Sequence, residues 1–388
     1  MAGFWFTPDA SEWAGEDGYN PLVASALECA YGQLSPDGRI TSEVLTCLVP
    51  ILTAKMCKSQ RLRVLFIVGS CLAAEDPPTS ALEPIDEALE LTLELNETRA
   101  QVDLLLLRAA VNRYINQIPD AAGDLEDCLQ ALVTLNLRDD WTDDELRLTL
   151  MATLRLAEHE FLIGAYDECQ GWLDHAATLL PRVGDDPESL GRYTWTRALL
   201  LRWRGDYEKA LAMAGLAASH ISALHDPQNL SRIEAGTGDI FLDLAERSSR
   251  QDDAAACSAY LSLAEPYIER AIDIAVTSDF QASEMLARIV RARLQLLQSL
   301  PGDRRVLLEE IANMAREHQD MPTASKAYTG IGRECEALHD DASAKDWYRR
   351  AIAVLNESQA VADTVWAQRA LWRLEGEMAV QSEPNQVS

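Results

Sequence analysis

"GAYDEC", residues 164–169, has near-copies in "GDLEDC", which starts at Gly123, and "GDYEKA", which starts at Gly205. The starts stand 41 residues apart, so the chain restates itself at a fixed period. A period of that size belongs to chains built by stacking one supersecondary unit on the next, because no single unit can bury its own apolar face. Five residues beyond the three glycines stand Cys128, Cys169 and Ala210, and seven further on stand Ala176 and Ala217 in the second and third copies. Small side chains at that spacing let the second helix of a pair approach the first closely. Since alanine replaces cysteine in the third copy, the position asks for small size and not for a thiol. The glycines then mark corners between helices. "HDDASAKDWYRRAIAVL", from His339, carries Ala344 and Ala351 at the same offsets, with histidine in place of the glycine.

Outward from these strings, apolar residues recur at steps of three and four almost throughout, which is the helical period. Breaks come at "SPDG" (35–38), "EDPP" (75–78), "QIPD" (117–120), "LRDDWTDDE" (137–145), "PRVGDDPE" (181–188), "HDPQN" (225–229) and "LPGD" (300–303). Thr142 with Glu145 forms a capping box, Ser80 with Glu83 offers another, and Pro187 suits a first helical turn. The acidic residues around 139–145 read as caps and helix-dipole partners in preference to a metal site. The breaks divide the chain into about eight antiparallel helix pairs followed by a last helix near 361–379. Residues 21–380 are expected to form one continuous helical repeat domain, an all-α, right-handed α-solenoid. Residues 1–20, with Phe4, Trp5, Phe6 and Trp13, fall outside the repeat and are expected to cap its open end, and 381–388 read as a disordered tail.

Composition bounds the function. Lys and Arg number 34 against 62 Asp and Glu, a net charge of −28 that repels phosphate backbones and anionic membrane surfaces. Nucleic acid is therefore not expected as a direct ligand, and a basic peptide or basic protein face suits the field better. Solubility alone is the other use of such acidity. The eight cysteines contain no C-x-x-C pair, which fits small buried hydrophobes in a reducing cytoplasm. "MAGFWFTPDASEWAGEDGYNP" has no basic start followed by an apolar run, and no stretch reaches 18 uninterrupted apolar residues, so neither a signal peptide nor a membrane span is expected.

The stretch "SKAYTGIGRECEALHDDASAKDWYRRAIAVL", Ser325 to Leu355, resembles a tetratricopeptide repeat. Tyr328, Ile331 and Gly332 match the aromatic, aliphatic and glycine of that family's first helix, and Ala344, Tyr348 and Ala351 match its second. Residues 150–223 resemble it less closely, with Pro181 where the family's closing proline would fall, and "EPIDEALEL" and "EPYIERAIDI" look like second helices of further copies. The family's unit is 34 residues, shorter than the spacing here, so longer helices or loops are implied. The resemblance implies a solenoid whose first helices line a groove that holds an extended peptide or a partner helix.

No frame for chemistry stands out. "GTGDIF" at Gly236 and "GIGREC" at Gly330 lack the third glycine of a dinucleotide fingerprint and read as helix. No H-E-x-x-H, P-loop or G-x-S-x-G occurs, so no catalytic residue, metal or cofactor is assigned. The candidate binding residues lie on "GRYTWTRALLLRWRG", where Arg192, Trp195, Leu199 and Arg202 share one helical face with Trp203 beside it. Met151, Leu154, Glu158 and Phe161 extend that face on the preceding first helix. Arginines flanking tryptophans would suit an exposed carboxylate on the ligand. The competing role for both tryptophans is to pack one pair against the next. Arg288, Arg291 and Arg293 form a second basic cluster, read as solvated or paired with nearby carboxylates.

Two functions fit. One is a non-enzymatic scaffold or adaptor that binds a protein or peptide in the groove. The other is a peptide-sensing regulator of bacterial signalling or transcription that acts through a partner, since no helix-turn-helix precedes the repeats.

Overall fold

The computed structural model describes residues 17–32, 42–73, 78–115, 117–135, 142–300, 303–356 and 361–376. These are helical, with no strand among them. They fall into two compact units: Met1–Leu156 with His175–Gly184, and Ala157–Asp174 with Asp185–Ser388. The expected cap at the chain start lies almost wholly outside the described residues, as does the expected tail.

The first unit carries α1 (Pro21–Gly32), α2 (Ser42–Leu48), α3 (Lys58–Leu72), α4 (Leu82–Leu95), α5 (Thr98–Tyr114) and α6 (Ile118–Leu135). Leu27, Leu62, Ile67, Ile85 and Leu104 are fully buried at its centre. Polar side chains tie its helices as well. Gln60 Nε2 donates to the Asn20 carbonyl while the Asn20 amide donates to Gln60 Oε1, both at 2.9 Å, which fixes the entry to α1 against α3. Arg108 bridges α4 and α6 through Asp86 and Asp124. α7 (Asp143–Ile163) and α8 (Tyr166–Val183) contribute to both units.

The second unit repeats one motif. Four antiparallel pairs follow in order: α9 (Pro187–Trp203) with α10 (Tyr207–Ala223), α11 (Pro227–Arg250) with α12 (Ala254–Thr277), α13 (Gln281–Leu297) with α14 (Arg304–Glu317), and α15 (Met321–Ala337) with α16 (Asp341–Asn356). α17 (Val361–Glu375) stands as a further first helix beside α15. The α11–α12 pair is the longest, 24 residues in each helix. Cys169, Ala210 and Ala344 have no exposure at all, nor have Ala217, Ala271 and Ala351, so the small positions are where helices meet.

The corners share one construction. One or two residues past the end of α7, α9, α11, α13 and α15 the backbone turns left-handed: at Gly164 and Gly205 with φ of 81° and 83°, at Asp252 and His339 with 57°, and at Ser299 with 55°. The same conformation recurs between pairs at His225, Asp279 and Gln319. An aspartate follows His225, Asp252, Gln319 and His339 directly, and its carboxylate accepts the amide three residues on, as Asp226 does from Asn229 and Asp340 from Ser343. That cap meets an amide the first helical turn leaves unpaired.

Three expectations are corrected. Gly123 lies inside α6 and turns no corner, because α6 already starts at Ile118 with Pro119 in its first turn, where a missing N–H costs nothing. Ser80 caps nothing, since Pro78–Ala81 winds as a 3₁₀ turn that runs straight into α4. Pro181 sits within α8 instead of closing it. The Thr142–Glu145 capping box forms in both directions, at 2.8 and 3.3 Å, and Pro187 opens α9.

Candidate binding face of the second unit

The first helices α11, α13, α15 and α17 stand side by side in that order, and α9 meets α11 through Trp195 and Arg202. On α11, Asp239, Asp243 and Glu246 fall at steps of four and three, so all three carboxylates leave the helix on the same side. Arg202 of α9 reaches them from one flank: its Nε donates to Asp243 Oδ2 and its Nη2 to Asp239 Oδ2, both at 2.6 Å. Arg293 of α13 reaches them from the other. It donates to Asp239 Oδ1 at 2.5 Å, to Asp243 Oδ1 at 2.8 Å and to Glu246 Oε1 at 2.7 Å.

The electrostatics follow from that geometry. Burial raises the pKa of the Asp239 carboxyl, yet Arg202 and Arg293 outweigh it and hold the group well below the carboxylate range. Glu246 is brought down to about 2 by Arg293 in the same contest with burial. Burial opposes the charge on Arg202 too, and its two aspartates more than restore it, so its pKa rises. Arg333 of α15 is different. Burial and the nearby Arg293 lower its pKa, and attraction to Glu246 and Asp239 does not make up the loss.

The row of first helices curves enough for its ends to meet. The Arg202 guanidinium lies 5.7 Å from the ring centre of Trp366 on α17, and Arg369 lies 5.5 Å from the same ring. The face is therefore concave, walled by α9 and α17 and floored by the ionic lattice.

The residues singled out from sequence divide sharply. Arg192 is held by Glu158 at 3.1 Å and Glu188 at 3.4 Å. Trp195 packs between α9 and α11 so tightly that a Cβ on Gly236 would come 2.4 Å from the ring, which explains why "GTGDIF" carries a glycine there. Trp203 stacks on Tyr166, centroids 3.7 Å apart, and Phe161 meets Tyr166 edge-on at 5.5 Å. These contacts place both tryptophans in packing roles. Leu199 and Met151 are half-buried, and Leu154 is fully buried in the core. Arg202 is the residue of that group that faces the lattice.

Asp239, Asp243, Arg333 and Trp366 went unremarked in the sequence. The signal for the aspartates was present, as acids at i, i+4 and i+7 interleaved with the apolar Ile240, Phe241, Leu242 and Leu244. Among the described residues no group of histidines, cysteines and carboxylates is arranged to hold a metal ion, and no helix is long and apolar enough to cross a membrane.

No protein-family model and no curated protein sequence matches the chain. Solved structures do match in fold. A Rap protein complexed with competence and sporulation factor superposes with a TM-score of 0.65 at 14% identity, over 90% of each chain. The Rap conjugation gene regulator of the plasmid pLS20, in complex with the Phr* peptide, does so with a TM-score of 0.60 at 14% identity, over 89% of this chain and 98% of that one. At this identity the likeness is one of architecture, and it establishes the chain as a tetratricopeptide-repeat-like α-solenoid.

Proposed function

We propose that the chain is a non-catalytic binding module of the cytoplasm, which holds a peptide or protein segment on the concave face of its second unit. The observation that supports this reading is the convergence of Arg202, Asp239, Asp243, Glu246, Arg293, Arg333 and Trp366 from five successive first helices onto one face. A face kept only for packing would be apolar, because charged groups there lose hydration without adding contact. A fixed array of charges beside an indole suits an extended ligand with its own polar groups. The half-buried Leu199 adds apolar surface on α9, and Arg202 and Trp366 form the rim.

Selection of peptides from a displayed library against the purified chain, with photo-crosslinking of the selected peptide, tests the reading. Crosslinks are expected on α9, α11, α13, α15 and α17, and Trp366→Ala is expected to weaken binding at least about fivefold. Crosslinks confined to α10, α12, α14 and α16 would sink the proposal.

A second reading, a peptide-sensing regulator, is favoured by the likeness to two Rap structures solved with bound factor or peptide over about nine-tenths of this chain. Such a regulator changes state on binding, whereas a passive adaptor need not. Hydrogen exchange with and without the selected peptide separates them. Altered protection in α1–α6, remote in sequence from the face, marks a regulator, and protection limited to the first helices of the second unit marks an adaptor.

A further inference from the structure

The second helices of the second unit follow one steric rule, and α14 departs from it. Counted from the start of each helix, the fourth and eleventh positions hold Ala210 and Ala217 in α10, Cys257 and Ala264 in α12, and Ala344 and Ala351 in α16. In α14 the same positions hold Leu307 and Met314, both half-buried. The distance between packed helices is set by the side chains at the contact, so two large residues in place of two small ones hold α14 off its partner. α13 and α14 accordingly touch only sparsely.

The other pairs are also locked in ways that this one is not. A Cβ on Gly191, Gly238 or Gly332 would come 2.7, 2.6 or 2.6 Å from Ile221, Ile268 or Tyr348, so α9, α11 and α15 each lie hard against their own second helix. Ser231 and Ser325, the fifth residues of α11 and α15, donate to the carbonyls of Ala271 and Ala351, both at 2.8 Å. The fifth residue of α13 is Met285, and among the described residues no hydrogen bond or ion pair joins α13 to α14. α14 is tied forward instead, with Arg304 paired to Glu334 at 3.2 Å and Leu308 lying against Gly330 of α15.

The seam divides the second unit into two blocks. The lattice of Arg202 and Arg293 with Asp239 and Asp243 holds α9, α11 and α13 together. Arg304 with Glu334, Arg349 with Glu375 and Arg373 with Glu336 tie α14 through α17. α13 stands at the boundary: Ala287, Val290 and Leu294 enter the core of the first block, and Met285, Ile289 and Ala292 enter that of the second. Close-packed cores move as bodies, so freedom of movement collects where the packing between them is thinnest. Across the concave face the blocks meet again where Arg202 lies over Trp366.

We propose that the α13–α14 seam is a hinge on which α14–α17 swing as one body against α9–α13, and that the contact of Arg202 with Trp366 is the latch of the closed state. Opening the latch widens the entrance to the concave face. The hinge goes beyond the binding-module reading and does not depend on it, because it is read from distances within the chain before any ligand is added.

Double electron–electron resonance on the full chain, with Cys29, Cys47 and Cys257 replaced by serine, measures those distances between nitroxides at exposed sites. Ala212→Cys with Ala353→Cys spans the seam from α10 to α16, Ala212→Cys with Ser262→Cys stays within the first block, and Asn313→Cys with Ala353→Cys stays within the second. The spanning pair should give a distribution at least about twice as wide as either control. Trp366→Ala should raise its long-distance fraction by about two- to fivefold, as the loss of one cation–π contact implies. Leu307→Ala with Met314→Ala, which restores the small pair, should narrow the distribution to the width of the controls. A spanning distribution no wider than the controls overturns the hinge. A width that survives the two α14 substitutions overturns its steric origin, and a distribution unmoved by Trp366→Ala overturns the latch.

Discussion

Arg202 and Arg293 share the same two carboxylates: each binds one oxygen of Asp239 and one of Asp243, from opposite sides of α11. The two aspartates therefore act as a double bridge from α9 to α13. Fixing that bridge fixes the angle between three successive first helices, and with it the curvature that brings Arg202 over Trp366.

Arg293→Met should be severely destabilising. The substitution keeps much of the volume but leaves Asp239, Asp243 and Glu246 without their shared counter-charge, and removing one member of a buried ion pair costs about 3–5 kcal/mol. Urea unfolding followed by far-UV circular dichroism measures the change. Adding Asp243→Asn to Arg293→Met should recover part of the loss, because it removes one stranded charge. An unchanged midpoint for Arg293→Met would show that the lattice contributes no stability.

Acid should act on the same lattice. Asp239 and Glu246 have folded-state pKa values below their ordinary ones, with Glu246 at about 2. As pH falls, the unfolded chain takes up protons first, so the stability these groups contribute is whole above pH 4.5 and is lost as pH falls toward 2. For Glu246 alone the loss is at most roughly 3 kcal/mol. Asp124 in the first unit works the other way, since burial raises its pKa despite Arg108, so the comparison must be local. Glu246→Gln should start less stable at pH 7 and lose less between pH 4.5 and 3 than the unaltered protein; parallel curves would exclude the effect.

The architecture was legible because its signals are steric and local. Cys169, Ala210 and Ala344 announce close approach by size alone, and their burial follows directly. Gly123 misled because the repeated string fixes the small position and not the corner, and a proline four residues earlier had already begun the helix. The face was less legible, since its members lie far apart in the chain: Arg202 meets Trp366 only through accumulated curvature. Arg192 and Trp203 looked like ligand-binding residues because nothing in the sequence shows Glu158 and Tyr166 waiting for them.

Two glycines on helices of the second unit should respond to alanine with opposite signs. A Cβ on Gly332 would come 2.6 Å from Cε1 of the fully buried Tyr348, so Gly332→Ala must push α15 from α16 and should cost about 1–3 kcal/mol. A Cβ on Gly215, exposed within α10, meets nothing within 4 Å, so Gly215→Ala should stabilise the helix by roughly 0.5–1 kcal/mol. Thermal unfolding of the two variants reads both, and shifts of the same sign would contradict this packing.

The cysteines provide a probe of the same close approach without mutation. Burial pushes the thiols of Cys128 and Cys169 up to about 12, so almost none of either is thiolate at neutral pH, and both are sealed from reagent as well. Cys29 is exposed. Iodoacetamide at pH 7.5, followed by peptide mass spectrometry, should therefore label Cys29 within minutes and reach Cys128 and Cys169 only as fast as their helices open. Adding urea below the unfolding midpoint should accelerate the buried pair and leave Cys29 unchanged. Rapid labelling of Cys169 in the native protein would mean that α8 does not close over the corner at Gly164, and the tight pairing that the repeated string encodes would be wrong at its best copy.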